Sequence, residues 1–349
     1  SLYGGLKAVA MTDIIQVVVL ILGGFAILWI SLDMVGGDAG PLAGLSTLMG
    51  EISGHFEMIL EPDHPSYGDL PGIWTLLGGL WVLHFSYWGF NQYIIQRALG
   101  AESEKEAQKG LAFAAFLKLL IPVIVVIPGI AALWLAQNNV LPMDELSATP
   151  DKTYGTLMTM VPSGLRGIVF AALIAAIVSS LASMMNSIAT IFTMDIYRDY
   201  IVKNASERHY VRVGRITAFV AMLIALILAR PFLGGLESAF QAIQEYTGFI
   251  APGIVAVFLL GFFWKRANKY GAFALLLSSA ILSVIAKIIL PDLPFVLRIW
   301  IVFLICILVG VVTSLLSPAP SEDQPVELSG ISFHTHTGFN IAAVLIVLI

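Results

Sequence analysis

The feature that most constrains this chain is a series of charge-free apolar runs, each about as long as a bilayer is thick. A helix needs roughly 20 apolar residues to cross the hydrocarbon core. A membrane barrel would instead alternate apolar and polar residues along each strand, which these runs do not do. The sequence therefore predicts an all-α, polytopic membrane helix bundle. The predicted spans are 9–31, 72–94, 110–136, 166–195, 211–229, 239–263, 271–290, 297–316 and a truncated span at 338–349.

Composition narrows the function classes. Apolar residues make up 58% of the chain and charged residues only 12%, whereas a soluble domain carries about 25% charged residues. We therefore interpret residues 1–349 as a single transmembrane domain. The net charge of −5 offers no basic surface for nucleic acid. The single cysteine, Cys306, excludes a disulfide scaffold and a cysteine metal site. Because the chain starts at Ser1 and ends within an apolar run, we expect it to be part of a longer membrane protein.

The loops between the spans predict an orientation. The loop 33–70 contains acidic residues and no Lys or Arg, whereas the turn 196–215 holds five basic residues. Loops rich in Lys and Arg stay in the cytoplasm, so we expect the first span to run outward and the acidic loop to lie outside. The segment 317–337, which should be inside, lacks basic residues and fits this topology least well.

Small and polar residues recur along the span 166–195 at steps of three and four, so they share one face of a helix. This stripe consists of Ala176, Ser179, Ser180, Ser183, Asn186, Ser187 and Thr190. Small-residue stripes commonly mediate helix packing in membranes. Hydroxyl and carbonyl oxygens are equally the ligands that a hard cation such as Na⁺ prefers. The pattern alone leaves both interpretations open.

A second polar cluster lies in the glycine-interrupted span 72–94, where His84, Tyr87 and Trp88 precede two amide side chains. Aromatic faces beside amides suit a sugar, because rings contact C–H groups and amides bind hydroxyls. The alternative is an aromatic belt at the membrane interface. Glycine-broken helices are also where transporters expose backbone to substrate.

Three further polar residues stand inside or near predicted spans. Lys118 lies within the span 110–136, where a charge usually faces a cavity. Gln244 precedes Pro252, which removes a backbone hydrogen bond and predicts a kink. Asp13 lies near the inner end of the first span and is compatible with an interfacial position as well as a functional one.

Long runs of the sequence resemble the sodium/solute symporter family, in particular its bacterial sodium/galactose type. The matching runs are Gly78–Trp81, Tyr87–Arg97, Ala175–Ser183, Thr193–Asp195 and Gln244–Gly248. The resemblance implies a leucine-transporter-type fold of two inverted five-helix repeats. The first span would be the last helix of the first repeat, the five spans within 72–263 the complete second repeat, and the remaining spans extra C-terminal helices. The family's preceding helices, which complete the ion and sugar sites, are absent from this sequence.

The resemblance also implies roles for individual residues. It assigns a Na⁺ site to Ala176, Ser179 and Ser180, and a carboxylate on the sodium exit path to Asp13. It assigns the substrate site to His84, Tyr87, Trp88, Lys118, Gln244 and Phe240. Within that set, Tyr87 corresponds to the inner aromatic gate and Phe240 to the outer hydrophobic gate. His84 departs from the family's galactose transporters, which have Asn there, so the identity of the sugar is open.

The expected function is Na⁺-coupled symport of a galactose- or glucose-like hexose by alternating access in the bacterial inner membrane. Na⁺ is the co-transported ion, the lipid bilayer is the environment, and the oligomeric state is undetermined. The alternatives are another solute on the same scaffold (an amino acid, myo-inositol or a sialic acid), or a channel or sensor. We find no nucleophile–base set and no phosphate-binding glycine loop, so we do not expect an enzyme.

Overall fold

A computed structural model describes residues 5–68, 72–142, 150–233, 239–319 and 334–349. Every regular element in these ranges is helical, which confirms the prediction of an all-α bundle. The α-helices are α1 (Gly5–Gly36), α2 (Gly40–Glu51), α3 (Ile73–Leu77), α4 (Gly79–His84), α5 (Gln92–Leu99), α6 (Glu104–Lys118), α7 (Ile127–Gln137), α8 (Thr153–Met160), α9 (Ser163–Ile191), α10 (Glu207–Leu233), α11 (Ala239–Gly248), α12 (Ala251–Phe263), α13 (Lys269–Ile289), α14 (Phe295–Leu316) and α15 (Thr337–Leu348).

Seven helical stretches in the described part of the chain are long and apolar enough to cross a membrane. They correspond to the predicted spans now formed by α1, α6–α7, α9, α10, α11–α12, α13 and α14. The span predicted at 338–349 forms the 12-residue helix α15. The kink predicted at Pro252 is present, because α11 ends at Gly248 and Pro252 lies in the first turn of α12. The inside–outside orientation stays a prediction.

The glycine-interrupted span predicted over 72–94 is divided into α3, α4, a π-helical turn at Phe85–Gly89, and α5. Gly78 interrupts the first part, with φ −138° and ψ −98°. After the π turn, Phe90 leaves the helical conformation with φ −119° and ψ 0°. Glycine permits such a break at Gly78 because it lacks the Cβ that restricts other residues. The candidate substrate residues lie at this interruption.

The chain divides into two compact units. The first consists of Ser1–Phe56, Gln92–Ser238 and Thr335–Ile349, and the second of Glu57–Asn91 and Ala239–His334. The assignment of residues 1–349 to a single transmembrane domain stays a prediction. In the first unit, α1 packs along α9, α2 and α7. The approach of α1 to α9 is close: a Cβ on Gly23 would lie 2.8 Å from the Cβ of Ala172.

The second unit packs α12, α13 and α14 around a core in which Val255, Leu275 and Cys306 are almost fully buried. The short helix α4 joins this core against α14. Phe90, directly after the π turn, stacks on Phe258 of α12 with ring centroids 4.2 Å apart. These contacts fix the position of the interrupted segment within the second unit.

Candidate functional site

A buried-to-half-buried polar cluster connects three helices of the first unit. Asp13 on α1 accepts a hydrogen bond from the Ser179 hydroxyl of α9, with 2.5 Å between Oγ and Oδ1. Its other carboxylate oxygen pairs with Arg97 of α5, at 2.6 Å from Nη2 and 3.0 Å from Nε. The carboxylate therefore faces the serine stripe directly.

The same cluster continues along α9. Arg97 Nη2 donates to Ser183 Oγ at 2.5 Å, and Ser183 donates to the carbonyl of Ser179 at 3.1 Å. Gln96, which is 6% exposed, donates to the Ser183 carbonyl at 3.3 Å and accepts from Asn186 at 3.0 Å. A run of paired polar groups thus replaces apolar packing where α5 crosses α9. Asp13, Arg97, Ser179, Ser183, Gln96 and Asn186 are called the α1–α5–α9 cluster below.

The residues that the resemblance assigns to Na⁺ lie on one face of α9, beside this cluster. Ala176 and Ser179 are half-buried, and Ser180 is exposed. Because they occupy positions i, i+3 and i+4, the carbonyl of Ala176 and both hydroxyls can point in the same direction. The structure brings Asp13 to Ser179, which the sequence did not pair. It leaves Ser180 accessible rather than buried among apolar side chains.

The candidate solute residues His84, Tyr87 and Trp88 lie in the second unit, at the end of α4 and in the following π turn. Tyr87 and Trp88 form an edge-to-face pair with centroids 5.0 Å apart. His84 and Trp88 are exposed and Tyr87 is half-buried. A π turn inside a helix frequently marks a functional site, because it redirects side chains without ending the helix.

The remaining candidates lie on other elements. Phe240 and Gln244 are one turn apart on α11, and Phe240 is 72% exposed. Lys118 belongs to the first unit, at the last residue of α6 and just before a second π turn at Pro122–Val126. The candidate solute residues are therefore distributed over both units.

Sequence reasoning missed a charged triad next to Gln244. Glu245 accepts from Lys287 of α13 at 3.0 Å and from Arg298 of α14 at 2.6 Å. Lys287 and Arg298 thus share one carboxylate. The triad ties α11 to both neighbouring helices. The sequence indicated this triad only through an acidic residue in an apolar span and two basic residues near the ends of later spans.

Three comparisons with known proteins bear on this arrangement. The sodium:solute symporter family model matches residues 1–278. The chain is 49% identical over 354 aligned residues to a sodium/glucose cotransporter of Vibrio parahaemolyticus, covering 98% of this chain and 65% of the relative. It is 33% identical to the mouse sodium/myo-inositol cotransporter 2, covering 82% of this chain and 45% of the relative.

A solved structure shows the same fold. The substrate-bound, outward-open Na⁺-coupled sialic acid symporter matches with a TM-score of 0.72 and 25% identity, over 91% of this chain and 64% of that one. The prediction of a leucine-transporter-type helical fold is thereby confirmed. This chain spans less than two thirds of each of these relatives. With its apolar helices, it is a multi-pass membrane protein, and it belongs to the sodium:solute symporter family.

Proposed function

We propose that this chain forms part of a Na⁺-coupled symporter for a neutral polyhydroxylated solute, with a hexose as the first candidate, in the bacterial inner membrane. The observation that carries the proposal is the contact between Asp13 and Ser179, beside Ala176 and Ser180 on the polar stripe of α9. Family membership supports Na⁺ as the ion. The Vibrio sodium/glucose relative supports a sugar as the solute.

The ion-binding step follows from the geometry of α9. The Ser179 hydroxyl donates a hydrogen bond to Asp13, so the lone pairs of the hydroxyl oxygen remain available to a cation. A partner that fixes a ligand in this way also raises its electron density. Ser180 adds a second hydroxyl, and the Ala176 carbonyl has a second lone pair beyond its helical hydrogen bond. Oxygen donors from another helix of the full-length protein would complete the coordination.

The solute-binding step uses residues of the second unit. The edge-to-face pair of Tyr87 and Trp88 offers an aromatic face to the C–H side of a sugar ring. His84 and the amide of Gln244 offer hydrogen bonds to hydroxyls. A sialic acid is the second candidate, because the matched symporter carries that solute, and it is therefore included in the test.

Coupling requires that Na⁺ bind one conformation better than the other, since only differential affinity shifts an equilibrium. In the proposed cycle, Na⁺ on α9 stabilises the outward-open form, the solute binds, and opening of the inner side releases both. Each Na⁺ that moves down a potential of 100 mV contributes about 2.3 kcal/mol. No covalent bond is made or broken in this cycle.

The decisive experiment is uptake into vesicles by the full-length polypeptide, with and without a Na⁺ gradient. We expect Na⁺-dependent accumulation of a labelled hexose above the external concentration. A competition panel of galactose, glucose, myo-inositol, a sialic acid and an amino acid then ranks the solutes. Uptake that only equilibrates the solute would support a channel and contradict the proposal, as would competition by the amino acid alone.

Replacing Ser180 with alanine tests the ion site. Removing one hydroxyl ligand from Na⁺ is expected to raise the Na⁺ concentration for half-maximal uptake about tenfold, which corresponds to ~1.4 kcal/mol. The matched control is Ser163→Ala, because Ser163 is also exposed but lies at the start of α9. An unchanged Na⁺ dependence in Ser180→Ala would remove this residue from the site.

Replacing Gln244 with alanine tests the solute site. Loss of an amide that binds a solute hydroxyl is expected to weaken solute affinity about tenfold, since such hydrogen bonds contribute about 0.5–1.5 kcal/mol. The Na⁺ dependence should change much less. Gln137→Ala, at the end of α7, is the control for losing an exposed amide. A larger effect on Na⁺ than on solute would refute the assignment.

A further inference from the structure

A cavity of about 230 Å³ lies in the second unit, where α12 ends and α13 begins. A single water needs only about 10–15 Å³ of such volume, so the cavity has room for a much larger group. Part of its wall is apolar, formed by Val257 and Leu260 with the buried Leu275 behind them. Its rim carries Lys265 and Lys269, both of which are exposed.

The charge at this rim is of one sign. No Asp or Glu is among the described residues that line the cavity. Within the described part of the chain, neither Lys265 nor Lys269 has a carboxylate within ion-pair distance, and Lys269 Nζ lies 5.3 Å from the centroid of the Tyr270 ring. Among the described residues, therefore, two ammonium groups without a carboxylate partner face one cavity.

The rest of the loop is already hydrogen-bonded. Asn268 caps α13, accepting from the amides of Tyr270 and Gly271 at 3.1 Å each, and its own amide donates to Ser314 and Pro318. Arg266 donates to backbone carbonyls at the end of α14. The protein thus builds the frame of the cavity, while neither lysine takes part in the hydrogen bonds described for this loop.

We propose that this cavity binds the headgroup of an anionic glycerophospholipid, with its phosphate between Lys265 and Lys269 and its first acyl carbons on Val257 and Leu260. Basic pockets between membrane helices on the cytoplasmic side bind anionic headgroups, and this turn is expected on that side from its basic residues. Trp264, half-buried at the cavity, suits the interfacial depth of a headgroup. A free phosphate would share the lysines but have no use for the apolar wall.

A second cavity provides the contrast. It measures about 320 Å³ and is lined by Lys105 and Lys109 near the start of α6. There one of the two lysines is paired, because Lys109 contacts Glu106 at 2.7 Å. The proposed site differs in that, within the described part of the chain, neither of its lysines has a carboxylate partner.

The test measures quenching of Trp264 in the full-length polypeptide in neutral detergent, titrated with brominated phosphatidylglycerol. The Trp264 contribution is the difference between the wild type and Trp264→Phe. We expect saturable quenching that weakens at least tenfold in Lys265→Gln/Lys269→Gln and at high salt, and that persists in Lys265→Arg/Lys269→Arg. The control Lys105→Gln/Lys109→Gln should stay within twofold of the wild type.

Two further measurements test whether the headgroup charge is required and whether a soluble phosphate can replace the lipid. Brominated phosphatidylcholine should quench Trp264 at least tenfold more weakly, and glycerol phosphate should not displace phosphatidylglycerol at millimolar concentration. Equal quenching by the two lipids, or equal affinity in the glutamine and arginine variants, would overturn the proposal. Displacement by glycerol phosphate would overturn the lipid assignment in favour of a soluble phosphate.

Discussion

Replacing Asp13 with asparagine in the full-length polypeptide is expected to raise the Na⁺ concentration for half-maximal uptake about tenfold. The carboxylate lies 2.5 Å from Ser179 Oγ, so an ion on that hydroxyl is within about 5 Å of it. At that distance and an effective dielectric constant of 20, two charges interact by about 3 kcal/mol. The side chains of Asp13 and Arg97 are 14% and 36% accessible. Because solvent screens partly exposed charges, we take less than half of this interaction energy.

For Arg97→Gln we expect the half-maximal Na⁺ concentration to shift in the opposite direction. Asp13→Asn leaves the guanidinium uncompensated beside the ion, whereas Arg97→Gln leaves the carboxylate uncompensated. The first change repels Na⁺ and the second attracts it, so Arg97→Gln should lower the half-maximal Na⁺ concentration. The double variant should lie between the two single variants, and the difference from additivity measures the coupling of the pair.

The measurement is initial uptake rate against Na⁺ concentration for the four proteins of this cycle. Asp199→Asn is the matched control, because Asp199 also pairs with an arginine, at 3.2 Å, but both side chains are exposed. Exposed ion pairs contribute little, so its Na⁺ dependence should stay within twofold of the wild type. A shift in the same direction for Asp13→Asn and Arg97→Gln would indicate that the pair only holds the helices together.

The helix spans were predictable because they depend on one local property. An apolar run of about 20 residues specifies a helix in lipid whatever its neighbours. The break at Pro252 was predictable for the same reason, since proline removes its own backbone donor. The glycines of 72–94 also predicted an interrupted span, but they did not predict the neighbour that the interruption accommodates. Gly78 and Gly79 lie against α14, and nothing in residues 72–94 alone reveals that helix.

The candidate site was predictable in its residue types but not in its pairings. The serine stripe on α9 follows from helical spacing, and the family resemblance adds roles that spacing cannot. The partners come from distant parts of the chain: Asp13 and Arg97 are 84 positions apart, and Glu245 and Arg298 are 53 positions apart. Contacts at such separations depend on how the helices pack. The π-helical segments at Phe85–Gly89, Pro122–Val126 and Phe192–Ile201 were likewise not predicted.

Replacing Gly79 with alanine is expected to lower the thermal stability of the full-length polypeptide by several degrees. A Cβ at this position would lie 1.8 Å from the carbonyl oxygen of Val296 and 2.7 Å from its carbon. Both are backbone atoms, so α4 and α14 must separate. Overpacking of this kind costs about 1–3 kcal/mol. The higher helix propensity of alanine works in the other direction by only ~1 kcal/mol.

The control for this change is Gly89→Ala, because a Cβ on Gly89 would have no atom within 4 Å. The measurement is the unfolding temperature of both variants in the same detergent. A Gly79→Ala protein as stable as Gly89→Ala would contradict the close packing of α4 on α14. The contact also has a functional consequence, since His84 ends the same short helix. If α4 moves away from α14, His84 moves with it, so weaker solute binding should accompany the loss of stability while the Na⁺ dependence set by α9 is retained.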